Sequence, residues 1–82
     1  MRVFLYSKPH CGLCDELKAD LLALQPEIGF DLQEQNIEQD PELFDRFRYL
    51  IPVLEIEGGE LLYPPHSFVR TMQALQAANR QP

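Results

Sequence analysis

Basic residues, cysteines and long apolar runs are all scarce in this chain, and each shortage excludes something. Lys and Arg total 7 against 13 Asp and Glu, a formal charge of −6. Affinity for a nucleic-acid backbone comes from clustered Lys and Arg, and no basic stripe occurs, so nucleic acid is not an expected partner. The opening Met1-Arg2 followed by Val3-Phe4-Leu5-Tyr6 imitates the start of a signal peptide. That run stops at Ser7-Lys8-Pro9, short of the roughly 7–15 apolar residues an h-region needs. Nothing approaches the ~20 residues of a membrane span. The expectation is a cytoplasmic, soluble protein with no membrane partner. Two cysteines, Cys11 and Cys14, stand close together and none elsewhere. A small secreted scaffold spreads several bridges along its chain, so this pair is not a structural staple.

What is present describes one domain, residues 1–82, since 82 residues are too few for two. Such a chain buries only about 60% of its unfolded surface, so its stability depends on good packing. With 45% hydrophobic and 24% charged residues the composition is that of a globular protein. There are no repeats, linkers or low-complexity tracts.

Val3 to Tyr6 reads as a strand within Arg2 to Ser7, buried on both faces. From Gly12 to Gln25, Leu13, Leu17, Leu21 and Leu24 recur at helical spacing, with Pro26 and Gly29 expected to stop the helix. Leu13 and Leu17 are expected on its inner side, leaving Cys14 less exposed than Cys11. Phe30 to Ile37 alternates weakly and reads as a polar edge strand. Asp40-Pro41 opens a second helix, since Asp is a good N-cap and Pro suits the first helical position. Leu43, Phe44, Phe47 and Leu50 form its apolar face, and Arg46, Arg48 and Tyr49 read as solvated. Ile51 to Glu57, Gly58-Gly59 and Glu60 to Tyr63 read as a hairpin closed by a two-residue turn. Ser67 caps a last helix carrying Phe68, Met72 and Leu75, with Arg80 near its C-terminus.

The order β-α-β-α-β-β-α predicts an α/β fold. A strand–helix–strand unit requires parallel strands and the tight turn antiparallel ones, so the sheet is mixed, four-stranded and flanked by helices.

Cys-X-X-Cys after a strand and at a helix start has a chemical consequence. Cys11 lies where unpaired N–H groups and the helix dipole favour an anion. A thiol pKa lowered from about 8.5 to about 7 raises the thiolate fraction from a few per cent to roughly half. Lys8 and protonated His10 would add to this effect. Cys14, one turn on, is placed to attack a mixed disulfide formed at Cys11. A structural zinc site takes four ligands, and only His10 and His66 could join the cysteines, so no metal is expected. Two other readings stand beside redox chemistry: a binding module without turnover, and metal or iron–sulfur binding through Cys11. Pro52 cannot donate to a ladder, so it belongs at a strand start or follows a cis bond.

Tyr6-Ser7-Lys8-Pro9-His10-Cys11-Gly12-Leu13-Cys14, with Ile51-Pro52-Val53-Leu54 and the Gly58-Gly59 hairpin, resembles a short glutaredoxin-like protein of the thioredoxin superfamily. The resemblance runs from the first strand to the last helix. It implies a thioredoxin fold and a dithiol–disulfide oxidoreductase with Cys11 as nucleophile and Cys14 as resolving cysteine. It implies that Pro52 is a cis-proline facing the dithiol, with the Ile51 backbone pairing with an extended substrate. Lys8 matches a lysine that meets a substrate carboxylate. His10, Gly12, Leu13 and Ser67 complete the expected substrate-binding set. The implied partners are glutathione or protein disulfides, with glutathione a co-substrate rather than a bound cofactor, and the acting form a monomer. The sequence departs from the family between the cysteines, where Gly12-Leu13 replaces the usual Pro-Tyr. It departs again at Pro64-Pro65-His66-Ser67, where glutaredoxins have a Gly-Gly-Asp segment that holds the γ-glutamyl end of glutathione.

Overall fold

In the computed structural model, which describes residues 1–80, the elements follow the expected order. They are β1 (Arg2–Ser7), α1 (Gly12–Ile28), β2 (Asp31–Asn36), α2 (Pro41–Phe47), β3 (Val53–Ile56), β4 (Leu61–Leu62) and α3 (Phe68–Asn79). A single 3₁₀ turn, Ile37–Gln39, joins β2 to α2. Positions 81–82 of the expected single domain lie outside the described residues.

The sheet order is β2-β1-β3-β4. β1 pairs parallel with β2, Val3 opposite Leu32, and antiparallel with β3, Leu5 opposite Leu54; β3 pairs antiparallel with β4, Leu54 opposite Leu62. The polar strand β2 is an edge, as its composition anticipated. Alternation divides the residues of β1 and β3 between two cores. Val3, Leu5, Leu54 and Ile56 pack with Leu17, Leu21 and Leu24 of α1 and Leu75 of α3. Tyr6 and Val53 pack with Ile37 and Phe47 on the other face, where Phe4, Leu43 and Phe44 join them. Helices on both faces explain why β1 reads as a continuous apolar run.

Local chemistry sets the helix starts. Asp40 accepts from the N–H groups of Glu42 and Leu43 at 3.0 and 3.3 Å, and Ser67 from that of Arg70 at 3.1 Å. The ends differ from expectation. Pro26 does not stop α1, which runs on to Ile28. A proline in the last turn forfeits one bond, to the carbonyl of Leu22, and Leu22 is half exposed. Gly29, at φ 80°, ends the helix and donates to the Gln25 carbonyl at 2.8 Å.

Four apolar assignments change as well. Leu13 is 63% exposed, because Cys14, about 100° round the helix, takes the inward position in that turn. Leu50 lies past the end of α2 and is exposed, leaving Phe47 as that helix's buried anchor. On α3 the inward stripe is Thr71, Ala74 and Leu75, so Phe68 faces outward. Phe30 is buried just before β2 rather than in it.

The hairpin loop has three residues, Glu57 to Gly59, since Ile56 N–H bonds the Glu60 carbonyl and Gly59 N–H the Ile56 carbonyl. Gly58 takes φ 76° at the third turn position, where L side chains are strained. A Cβ on Gly59 would stand 3.0 Å from Ala78 Cβ, so the turn packs directly on α3. Arg2 clasps this turn: its Nε and Nη2 donate to Glu57 Oε2 at 3.1 and 2.9 Å, holding the Glu57 carboxyl below the usual range. Among the described residues no helix is long and apolar enough to cross a membrane.

Tyr6 lies between sheet and α2, stacked on Phe47 with ring centroids 4.9 Å apart and donating to Glu55 Oε1 at 2.5 Å. Burial first, and then the bond and charge of Glu55, push its phenol up to about 12. A folded-state value above the unfolded one of about 10 stabilises the protein below pH 10, and this is lost as pH rises towards 12. Two units correspond to about 3 kcal/mol. Denaturant titrations of wild type and Tyr6→Phe from pH 9 to 12 should therefore show wild type losing most of that, about 2 kcal/mol, relative to the variant. A constant gap would contradict the buried-phenol account.

Candidate functional site

The end of β1 delivers the chain into the exposed loop Lys8-Pro9-His10, where His10 adopts φ 60°. Histidine is among the few non-glycine residues enriched in this left-handed region. Cys11 follows in extended conformation as the N-cap of α1, its Sγ accepting from the Cys14 N–H at 3.2 Å, while its carbonyl accepts from Asp15 N–H. The nucleophile candidate thus occupies the spot where a helix start concentrates positive potential. Cys11 is half-buried and Cys14 is 2% exposed, the order expected of attacking and resolving thiols. The two are joined as a disulfide with Cα atoms 5.2 Å apart.

Two grooves flank this turn. The first, of about 430 Å³, has apolar walls from Leu13, Leu17, Pro52, Pro64 and Pro65 and polar ones from Glu16, Asp20 and His66. The second, of about 350 Å³, runs along Ser7, Lys8, Pro9 and His10 towards Glu34 on β2. Glu34 is already engaged there, accepting from Ser7 Oγ at 3.2 Å and Lys18 Nζ at 3.1 Å.

Pro52 is buried, and the Ile51–Pro52 peptide bond is cis, as is Pro64–Pro65. His66 Nε2–H donates to the Pro52 carbonyl at 2.6 Å, latching the loop between β4 and α3 onto the start of β3. His66 Nδ1 is buried without a partner.

The expected site residues fall into separate groups. Leu13 and Pro52 share the first groove, and Lys8 and His10 the second. Gly12 is exposed at the helix start, where a Cβ would meet nothing within 4 Å. Ile51 is half-buried and its N–H donates to the Phe47 carbonyl at 3.1 Å, so what its backbone can offer a substrate is the carbonyl. Ser67 lies outside both grooves, its hydroxyl occupied by the α3 cap. Arg46 and Arg48 are exposed and stack on Phe47 and Tyr49, each 4.6 Å from the ring centroid. Among the described residues no group of three or more His, Cys, Asp or Glu is arranged to hold a metal ion.

Sequence reasoning did not name Glu16 and Asp20 among the site residues. Their spacing from Leu13 and Leu17 was the available signal, because residues 13, 16, 17 and 20 share one helical face. The latch from His66 to Pro52 spans 14 residues and left no local trace.

The sequence matches the family described as Glutaredoxin-like domain (DUF836) over residues 2–76. The X-ray structure of the Northeast Structural Genomics target protein XcR50 from X. campestris is similar at TM-score 0.78 and 25% identity, over 92% of this chain and 96% of that one. No curated protein matches. The mixed four-stranded sheet with three helices is the thioredoxin-like fold expected from the sequence.

Proposed function

The chain belongs to the glutaredoxin-like domain family, and from that membership we propose that it acts as a small thiol–disulfide oxidoreductase. The observation that carries this reading is the position of Cys11 as N-cap of a 17-residue helix, with buried Cys14 bonded to it one turn on.

In the reduced protein the Cys11 thiolate is stabilised by the helix start and the Cys14 N–H. It attacks one sulfur of a substrate disulfide, forming a Cys11–substrate mixed disulfide and releasing the other half as a thiolate, which takes up a proton. Cys14 then loses its proton and attacks Cys11 Sγ, which breaks the mixed disulfide and releases the second substrate thiol. Two electrons pass to the substrate and the Cys11–Cys14 disulfide remains, to be reduced by an external thiol or dithiol. The burial of Cys14 supports this order of events, because an incoming disulfide meets the more exposed Cys11 first.

Lys8 and His10 line the approach on one side, while Leu13, Pro52 and the Ile51 carbonyl receive the substrate chain on the other. Ser67 acts indirectly, by holding the start of α3. The substrates are glutathione-containing or protein disulfides, no resident cofactor is required, and a monomer suffices. A cytoplasmic setting, where thiol reductants keep dithiols reduced, would return the protein to its starting state.

Trapping tests this reading. Cys14→Ser exposed to a low-molecular-weight disulfide should accumulate a mixed disulfide at Cys11, whereas wild type under the same conditions should end as the internal disulfide. Mass spectrometry of alkylated samples reads both. Absence of either product at neutral pH would leave a thioredoxin-like binding module without turnover.

A further inference from the structure

The groove beside the dithiol carries charge of one sign. Leu13, Glu16, Leu17 and Asp20 occupy positions i, i+3, i+4 and i+7 of α1, so one helix face sets two carboxylates beside two leucines. Pro52, Pro64 and Pro65 add further apolar wall. Among the described residues no lysine or arginine lines this groove. Lys18 on the same helix and Arg70 on α3 are bonded elsewhere. Lys18 pairs with Glu34 at 3.1 Å, and Arg70 donates to the carbonyls of Tyr63 and Pro65 at 3.0 and 2.8 Å. His66 spends its Nε2–H on the Pro52 carbonyl. A carboxylate entering here meets two like charges and no partner, and the chain's charge of −6 adds the same sign at longer range.

Resting on the oxidoreductase reading, we propose that this groove selects substrates by charge, accepting an extended polypeptide disulfide with lysine or arginine and an apolar residue beside its cysteine and disfavouring glutathione. Each glutathione moiety has two carboxylates and one ammonium group, so it brings net negative charge to an acidic wall. A polypeptide of the stated kind lays an apolar side chain against the prolines and leucines. Its lysine stem crosses the same surface and brings the ammonium group to Glu16 and Asp20. At about 430 Å³ the groove is of ligand-cleft size, roughly 300–1,000 Å³. The Pro64-Pro65-His66 segment supplies wall, and the Nε2–H of His66 that an anion could use is already spent on the Pro52 carbonyl.

The experiment compares three disulfides under recycling by a small dithiol: a Leu-Cys peptide flanked by lysines, its glutamate-flanked counterpart, and oxidised glutathione. The lysine peptide should be reduced with kcat/KM about tenfold above either competitor at low salt, from two favourable pairs replaced by repulsion. Glu16→Gln/Asp20→Asn should bring the ratio to about twofold or less, and 0.5 M salt should shrink it likewise. Glu27→Gln/Glu42→Gln removes the same charge from exposed positions outside the groove and should leave the ratio as in wild type. In parallel, Cys11→Ser/Cys14→Ser is titrated by NMR with serine versions of the two peptides, and the amides of Leu13, Leu17 and Asp20 should shift for the lysine peptide at lower concentration. Equal turnover of the peptides, or glutathione reduced as fast as the lysine peptide, overturns charge selection and leaves the oxidoreductase reading standing. Preferential binding without turnover supports the groove's selectivity and overturns the oxidoreductase reading. Neither binding preference nor turnover overturns both.

Discussion

Cys11→Ser is expected to lower the rate of disulfide exchange by about a thousandfold or more while leaving the fold in place. The loss is large because a serine hydroxyl is not ionised at neutral pH and forms no disulfide, so the first covalent step has no nucleophile. The fold should persist because Cys11 is also the N-cap of α1, and serine is among the residues that best accept a bond from the N–H two or three positions on. The comparison belongs under reducing conditions, where wild type lacks the internal bridge as the variant does. Circular dichroism and denaturant midpoint should then nearly coincide while exchange with a chromogenic disulfide collapses. A variant that retains most of the exchange rate would show that Cys11 is not the attacking group.

Leu54→Ala is expected to remove about 2–5 kcal/mol, the range for truncating a leucine in a packed core. Leu54 is 0% exposed and central in the sheet, opposite Leu5 on β1 and Leu62 on β4. A chain of this size has about 4–12 kcal/mol of stability in all, so the loss is at least about a sixth of it and, at mid-range, nearly half. The variant should melt far below wild type and open measurably at moderate urea. Leu13→Ala offers the contrast. Its side chain is 63% exposed, so its stability should stay within about 0.5 kcal/mol of wild type. Equal destabilisation of the two variants would contradict the packing described for α1.

That contrast bears on what could be read in advance. Leu13 and Leu17 are indistinguishable as members of a helical repeat, yet both line the groove and only Leu17 is also buried in the core. Leu50 and Phe68 likewise had the spacing of core residues and proved exposed. By contrast, Asp40-Pro41 and Ser67 marked helix starts correctly, since capping needs only a side chain and N–H groups two or three residues away. The hairpin was legible from Gly58-Gly59, although its loop holds three residues, because register depends on how the turn packs against α3 as well as on turn chemistry.

The dithiol, the parallel pairing of β1 with β2, the antiparallel hairpin and the division into three helices were legible in the sequence alone, whereas the strand order β2-β1-β3-β4 was not. Each legible feature rests on interactions between neighbours in the chain or on a hydrophobic period that the backbone imposes. Only the tertiary structure decided that Glu16 and Asp20 stand in the groove beside Pro52, that His66 latches onto the Pro52 carbonyl, and that the N–H of Ile51 is taken by Phe47. These depend on which surfaces α1 and the loop after β4 turn towards each other once the sheet forms. A helical period states which residues share a face but not what that face will meet.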